Sequence, residues 1–337
     1  MPQVERNIPT VLTPGLFAHL KRCCQWTNEI ATSLAWAYKM TSVTNTVNLE
    51  RKSKFVARTL LNLKPSVSWY QFVRSSYLRP LVGNDANLLD VIHRPFFDRN
   101  TSAMERVNML VCHFELLHTL LGTKTTANIV SGHRFLLSQF TGKNDEHFTI
   151  HLLRDDAFKR EGGITLALSM NEQALLYVTF TLVKNRHGNA IRVGGIQSNR
   201  GNCRQLARTA TSALHGIQPR LLLIEVLRNL AAQINCTTIE CVSEQNHIYR
   251  AWRYRQKKCI HAEYDQLWLL AGGSQNQRGN FEIPHTQDEK PIESRPSNKR
   301  SEYRRRAALT EAMRAQIHAA IHTHGHHLHR AHSYTSH

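Results

Sequence analysis

The sequence predicts an α+β protein, with a helical N-terminal part packed on a mixed, mainly antiparallel sheet. Three observations lead there. Between Thr101 and Leu121 apolar residues recur at steps of three and four, which gathers them on one helix face. From His147 the period changes to two, the strand period, and further runs rich in β-branched and aromatic residues follow at short links. After Ile196 long apolar runs return, one of them headed by Pro219, a residue suited to the first helical position.

The elements follow in order. After a short disordered start, Thr13–Arg22 reads as a helix start, and Ile30, Leu34, Ala37 and Tyr38 continue at helical spacing. Asn48–Leu61 is amphipathic and basic. Its Arg51, Lys52, Lys54 and Arg58 suit an anionic membrane surface or the solvated face of a packed helix. The run has no Trp or Phe cluster of an interfacial helix, which favours the solvated face. Ser66–Leu78, with Trp69, Tyr70, Phe72 and Tyr77, is a helix, and Leu88–Ile92 is a short one. The Thr101–Leu121 helix stops at Gly122. Its His113 and His118 lie five apart, not at the four-residue spacing of a zinc helix. Ala127–Val130 and His133–Phe140 complete the helical part.

His147–Leu153, Ile164–Met170, Leu175–Val183 and Ala190–Ile196 are strand candidates, with Asn185–Asn189 as a turn. Short links between them predict an antiparallel meander. Helices over Cys203–Leu214 and Pro219–Ile234 follow, then a strand over Thr237–Val242, a short helix over His247–Arg253 and an apolar run over Tyr264–Leu270. The domains are thus residues 1–140, mostly helical, and 141–273, the α+β core. Residues 274–300 read as a polar linker, and 301–337 as a basic helix with a His-rich disordered tail. The tail, His322–His332, has metal-binding side chains but reads as a dispensable low-complexity end.

Composition bounds the function. Hydrophobic residues make up 41%, enough for a core. Lys and Arg number 43 against 25 Asp and Glu, a net charge of +18. That balance suits a generally basic surface, or an anionic partner such as acyl-CoA, anionic lipid or RNA. Seven cysteines include no C-x-x-C pair. Cys112, Cys236 and Cys241 sit among apolar residues and read as buried thiols in a reducing compartment. The start carries no basic-then-apolar leader pattern, and no run reaches the roughly 20 apolar residues of a membrane span. A cytoplasmic protein, with peripheral contact at the inner membrane open to it, is the expectation. Oligomeric state is left open. Walker A, G-x-G-x-x-G after a parallel strand, H-E-x-x-H and G-x-S-x-G patterns are absent.

A set of short motifs carries a family resemblance. Gly194-Gly-Ile-Gln197, His215-Gly-Ile-Gln-Pro-Arg-Leu-Leu-Leu223, Tyr264-Asp-x-x-Trp268 and Gly272-Gly273 resemble the bacterial VirK/YbjX family. So do Tyr77–Leu81, Ile283-Pro284 and Ser297–Arg306. The likeness spans most of Val67–Arg306. Asn298 stands where a Lys is expected, Leu267 where an aromatic is usual, and the His-rich tail is a further departure. The resemblance implies a role in virulence and envelope stress of Gram-negative bacteria, resistance to cationic peptides included. It brings no reaction with it.

The order of elements is similar to that of acyl-CoA N-acyltransferases of the GNAT type. In those enzymes backbone amides after the fourth strand and at the next helix start hold the cofactor pyrophosphate, as free N–H groups and the helix dipole favour anions. The loop Gln197, Ser198, Asn199, Arg200, Gly201 and Asn202 stands in that place, although it lacks the Q/R-x-x-G-x-G/A pattern. Acyl transfer needs a base and a donor to the leaving thiol. Glu244, His247 and His215 are base candidates, and Tyr249 and Tyr264 donor candidates. Each also has a plain structural role open to it: packing for Tyr264, a loop backbone bond for His215. No metal site is expected. The second reading is a non-enzymatic basic adaptor. It would bind anionic lipid or RNA through Arg250, Arg253, Arg255, Lys257 and Lys258, and through Arg304, Arg305 and Arg306.

Overall fold

The computed structural model describes residues 14–43, 49–83, 87–198, 203–254, 263–286 and 291–325. The helical part comprises α1 (Pro14–Val43), α2 (Leu49–Leu61), α3 (Leu63–Ser75), the short α4 (Asn87–Asp90) and the long α5 (Ala103–Val130). Ser102 starts α5 with a capping box. Its hydroxyl accepts from the Glu105 N–H, and the Glu105 carboxylate accepts from the Ser102 N–H. Two orphan donors of the first turn are satisfied in this way. Gly122 leaves helical geometry, at φ 74° and ψ 168°, and interrupts the helix where its stop was expected. The chain kinks there and continues to Val130, burying Thr126, Ile129 and Val130.

Trp69 and Tyr70 of α3, Phe96 and Phe97 of the following link, and Phe114 of α5 form one buried cluster. Trp69 Nε1 donates to the Leu88 carbonyl at 2.9 Å. His93 is buried here, its Nε2 3.0 Å from the Tyr70 hydroxyl. Burial pushes His93 down to about 4 and His113, buried on α5, down to about 3. The unfolded chain takes up these protons near the ordinary 6.5, and the folded chain does not. Stability is therefore complete above that value and falls as pH drops through the window between 6.5 and the folded values. Each histidine is expected to cost about 2 kcal/mol between pH 7.5 and 5. Thermal melts at the two pH values should show a smaller loss for His93→Gln than for the wild type; equal losses would mean that His93 is not held neutral.

The sheet contains β1 (Phe135–Thr141), β2 (His147–Leu153), β3 (Ile164–Met170), β4 (Gln173–Asn185), β5 (Gly188–Ser198), β6 (Cys236–Cys241), β7 (Ser274–Gln275) and β8 (Phe281–Ile283). Its spatial order is β1-β2-β3-β4-β5-β6-β8-β7. The first five strands are an antiparallel meander, of which β2–β5 follow the short links as predicted and β1 is added. β6 joins β5 in parallel. A parallel neighbour needs a long crossover, and this one carries α6 (Cys203–Ala213) and α7 (Pro219–Gln233). The antiparallel β8 then extends the sheet beyond β6. Two further helices, α8 (Tyr264–Leu270) and α9 (Arg300–Gly325), complete the described elements. Leu222, Leu223, Val226, Leu227 and Leu230 of α7 enter the main core with the sheet residues.

Three elements differ from expectation. His133–Phe140 is not helical: Phe135–Thr141 is the edge strand β1, paired with β2 from Phe135↔Leu152 to Thr141↔His147. A short apolar run carries too little period to separate the two states, and here tertiary pairing decides. The helix expected over His247–Arg253 contracts to one 3-10 turn at Ile248–Arg250. Within the polar stretch 274–300, Phe281 and Ile283 are buried and pair with Cys241 and Ile239. Three residues in polar surroundings leave almost no pattern to read.

The basic helix α9 packs on β1. Met313, Ile317 and Ile321, one helical turn apart, are buried in the main core. Gln316 Oε1 accepts from the Gln139 backbone N–H at 2.8 Å and from the Ser138 hydroxyl at 2.9 Å. The helix thus covers an edge strand that would otherwise offer its backbone for pairing.

Candidate active site

The parallel pair stops before β5 does. Pairing runs from Asn189↔Cys236 to Val193↔Cys241, and the Val242 N–H closes it on the Val193 carbonyl at 2.9 Å. Beyond that point Gly195–Ser198 stay paired with β4, while α8 fills the gap towards β6. Tyr264 donates its hydroxyl to the Ile196 carbonyl at 3.1 Å, and Trp268 Nε1 donates to the Val242 carbonyl at 2.8 Å. Two carbonyls at the parting of the strands are therefore satisfied by aromatic side chains of one helix. Such a parting, at the carboxyl ends of parallel strands, is where open α/β sheets tend to bind ligands.

A fully buried carboxylate faces this parting. Glu161 lies on the link between β2 and β3. Its Oε1 accepts from Gln197 Nε2 at 3.1 Å, and the Tyr249 phenol is hydrogen-bonded to the same side chain. Gln197 Nε2 also reaches the Tyr264 hydroxyl at 3.0 Å. The link crosses β5 at Gly194 and Gly195, which explains that doublet. A Cβ on Gly194 would fall on the Glu161 carbonyl oxygen, and one on Gly195 on its carboxylate. Burial, then the charge of Glu161, pushes the Tyr249 and Tyr264 phenols well above their ordinary value of 10. Both tyrosines therefore hold their protons at neutral pH and are donors.

His247 stacks on Tyr264, ring centroids 5.1 Å apart and planes at 14°. Its Nδ1 accepts from the Tyr249 N–H at 3.3 Å, which puts the proton of a neutral imidazole on Nε2. His247 and Tyr264, expected as chemistry-bearing residues, are thus brought together, with Tyr249 beside them. Glu244 is not aimed into this group by any bond shown. Its N–H donates to Asp265 Oδ1 at 2.8 Å and its carbonyl accepts from Arg250 Nε at 2.7 Å, both loop-holding contacts. His215 stands elsewhere, in the turn between α6 and α7 at φ 53°. There its carbonyl accepts from Arg306 Nε, and burial, then Arg305 and Lys143, holds its imidazole below the ordinary range.

Of the loop proposed for the cofactor, Gln197 and Ser198 end β5; Asn199, Arg200, Gly201 and Asn202 lie outside the described residues. So do Arg255, Lys257 and Lys258. Arg250 and Arg253 are exposed, as are Arg304 and Arg305. Arg306 is engaged instead, paired with Glu302 at 2.7 Å and lying 4.8 Å over the Tyr303 ring. Sequence reasoning missed Glu161. Its signal was the acid immediately before Gly162-Gly163, matched by a second doublet, Gly194-Gly195, on a strand. Two glycine pairs at a crossing of backbones mark close approach.

The family model described as "Protein of unknown function (DUF535)" matches residues 45–319. The chain is 30% identical over 270 residues to the uncharacterized protein YbjX of Escherichia coli strain K12, which covers 79% of this chain and 82% of YbjX. It is 23% identical over 256 residues to an uncharacterized protein of Haemophilus influenzae, covering 76% of this chain and 81% of that protein. No solved structure matches it. With the motifs from Tyr77–Leu81 to Ser297–Arg306 inside the matched residues, the chain belongs to the VirK/YbjX family, DUF535.

Proposed function

We propose that the chain binds acyl-CoA at the carboxyl end of β5 and transfers the acyl group to an acceptor. The observation that carries this reading is the parting of β5 and β6 over a buried Glu161, with two protonated tyrosines beside it. The element order, which resembles that of GNAT-type acyltransferases, supports it, as does the place of Gln197–Asn202 between β5 and α6. In this reading the acceptor nucleophile attacks the thioester carbonyl and its proton passes to the Glu161 carboxylate. The carbon–sulfur bond then breaks, and the thiolate takes a proton from Tyr264 or Tyr249. At the level of the cell, the family resemblance alone supports a cytoplasmic factor in virulence and in withstanding envelope stress and cationic peptides.

The adaptor reading is supported by a different place. At the junction of α2 and α3, Leu61 is 83% exposed and Leu60 62%, with Leu63 beside them. Exposed Lys64 follows these leucines, and exposed Arg51 and Lys54 stand earlier on α2. Apolar tips with basic rims suit anionic lipid better than RNA. Among the described residues no helix is long and apolar enough to cross a membrane.

Thermal melts with acetyl-CoA and a long-chain acyl-CoA, beside KCl at equal ionic strength, separate the readings. A donor at about 100 times its Kd should stabilise by about 2.7 kcal/mol, a shift of several degrees that Arg200→Ala abolishes. No shift, together with salt-sensitive sedimentation on phosphatidylglycerol vesicles, would replace the acyltransferase with the adaptor.

A further inference from the structure

Beside the carboxylate lies a concentration of arginines that the acyl-transfer reading does not use; of them the adaptor reading draws on Arg253 alone. Arg160 directly precedes Glu161. Its carbonyl accepts from the Phe97 N–H at 2.8 Å, so this link is tied to the segment that carries Arg94. Arg106, from α5, folds back on the same segment, with Nε donating to the Ile92 carbonyl and Nη1 to the Thr101 carbonyl, each at 2.8 Å. Arg253 stands exposed next to Tyr254, whose ring meets Tyr249 edge-on at 6.0 Å. Arg160 Nη1 is buried and has no acceptor among the described residues. Burial lowers the Arg160 guanidinium, and Arg94 and Arg253 add to that; burial likewise lowers Arg106, with Arg160 adding.

The nearby carboxylates are engaged elsewhere. Asp90 is shared by Arg94 at 2.9 Å and Arg58 at 3.5 Å. Glu105 sits in the capping box of α5, and Glu161 holds Gln197 and Tyr249. The segments that carry Arg160, Arg106 and Arg94 are thus bonded to one another, Arg253 adjoins them through Tyr254 and Tyr249, and of the four only Arg94 has an ion pair among the described residues. A desolvated cation without a counter-charge is costly, and a buried donor without an acceptor asks for a ligand. The planar guanidinium fork matches the oxygens of a phosphoryl group.

We infer that Arg160, with Arg94, Arg106 and Arg253, seats a phosphoryl group of a molecule that lies against Glu161. The phosphate monoester belongs to the acyl donor or to the acceptor. Only that assignment rests on the acyl-transfer reading; the seat itself does not.

The test is calorimetric titration of the full chain with inorganic phosphate at fixed ionic strength. Arg160→Met should weaken binding at least tenfold, and Arg160→Lys should fall between it and the wild type, since it keeps the charge and loses the fork. Arg186→Met, on the exposed turn between β4 and β5, should stay within twofold. No phosphate binding by the wild type, or equal losses in Arg160→Met and Arg186→Met, would overturn the seat, the latter in favour of diffuse charge. A circular dichroism spectrum of Arg160→Lys matching the wild type guards against misfolding. Acyl-CoA stabilisation that survives Arg160→Met assigns the phosphate to the acceptor; its loss assigns it to the donor. Arg160-dependent phosphate binding without any acyl-CoA shift would keep the seat and end the acyl-transfer reading.

Discussion

On the proposed acyl-transfer reading, Glu161→Gln is expected to slow thiol release from acyl-CoA by about 10²–10⁴-fold, the usual worth of a positioned general base. The substitution is close to isosteric. The new amide oxygen still accepts from Gln197 Nε2, now 3.1 Å from Oε1, so the parting of β5 and β6 should keep its shape. What disappears is the capacity to take a proton. The effect should therefore fall on kcat with little change in KM. Turnover at the wild-type rate would move the base to another residue, His247 first, since its ring stacks on the same Tyr264.

Trp268→Ala is expected to cost about 4 kcal/mol of stability, the range for deleting a large buried aromatic. Trp268 is fully buried and stacks at 12° on Tyr264. Its loss opens a cavity and also leaves the Val242 carbonyl without the indole donor. Trp268→Phe separates the two contributions, because it keeps most of the volume and removes only the hydrogen bond, about 1–3 kcal/mol. Urea unfolding of the three proteins measures both. A loss below about 1 kcal/mol for Trp268→Ala would mean that α8 is not what holds the strand ends apart.

Why these residues were unevenly legible follows from the range of the forces that place them. The strands from His147 to Ile196 declare themselves because each buries a face, and burial writes its period into neighbouring residues. The helix α7 does the same through Leu222, Leu223, Val226 and Leu227. Tyr264 and His247 could be suspected as polar-tipped aromatics between apolar runs. Their stacking could not, because it joins residues on separate elements. Glu161 is the sharper case. Only the Gly162-Gly163 doublet after it sets it apart locally from Asp155 and Asp156; what buries it is a crossing with Gly194 and Gly195, far along the chain. β1 failed for a related reason. Its seven residues bury only Leu137 and Ser138 fully, and its identity as a strand is imposed by β2.

The bond between Gln316 and the backbone of Gln139 spans 177 residues. At the usual pace of synthesis, about 5–20 residues per second, Gln139 waits roughly 9–35 seconds on the ribosome for its partner to be made. During that interval the meander can zip from β2 to β5, but the outer side of β1 stays open to any passing strand. A cell making this protein therefore faces a timed exposure, set by gene order along the chain. A slow codon run before Met313 would lengthen the exposure without altering a single contact in the finished fold.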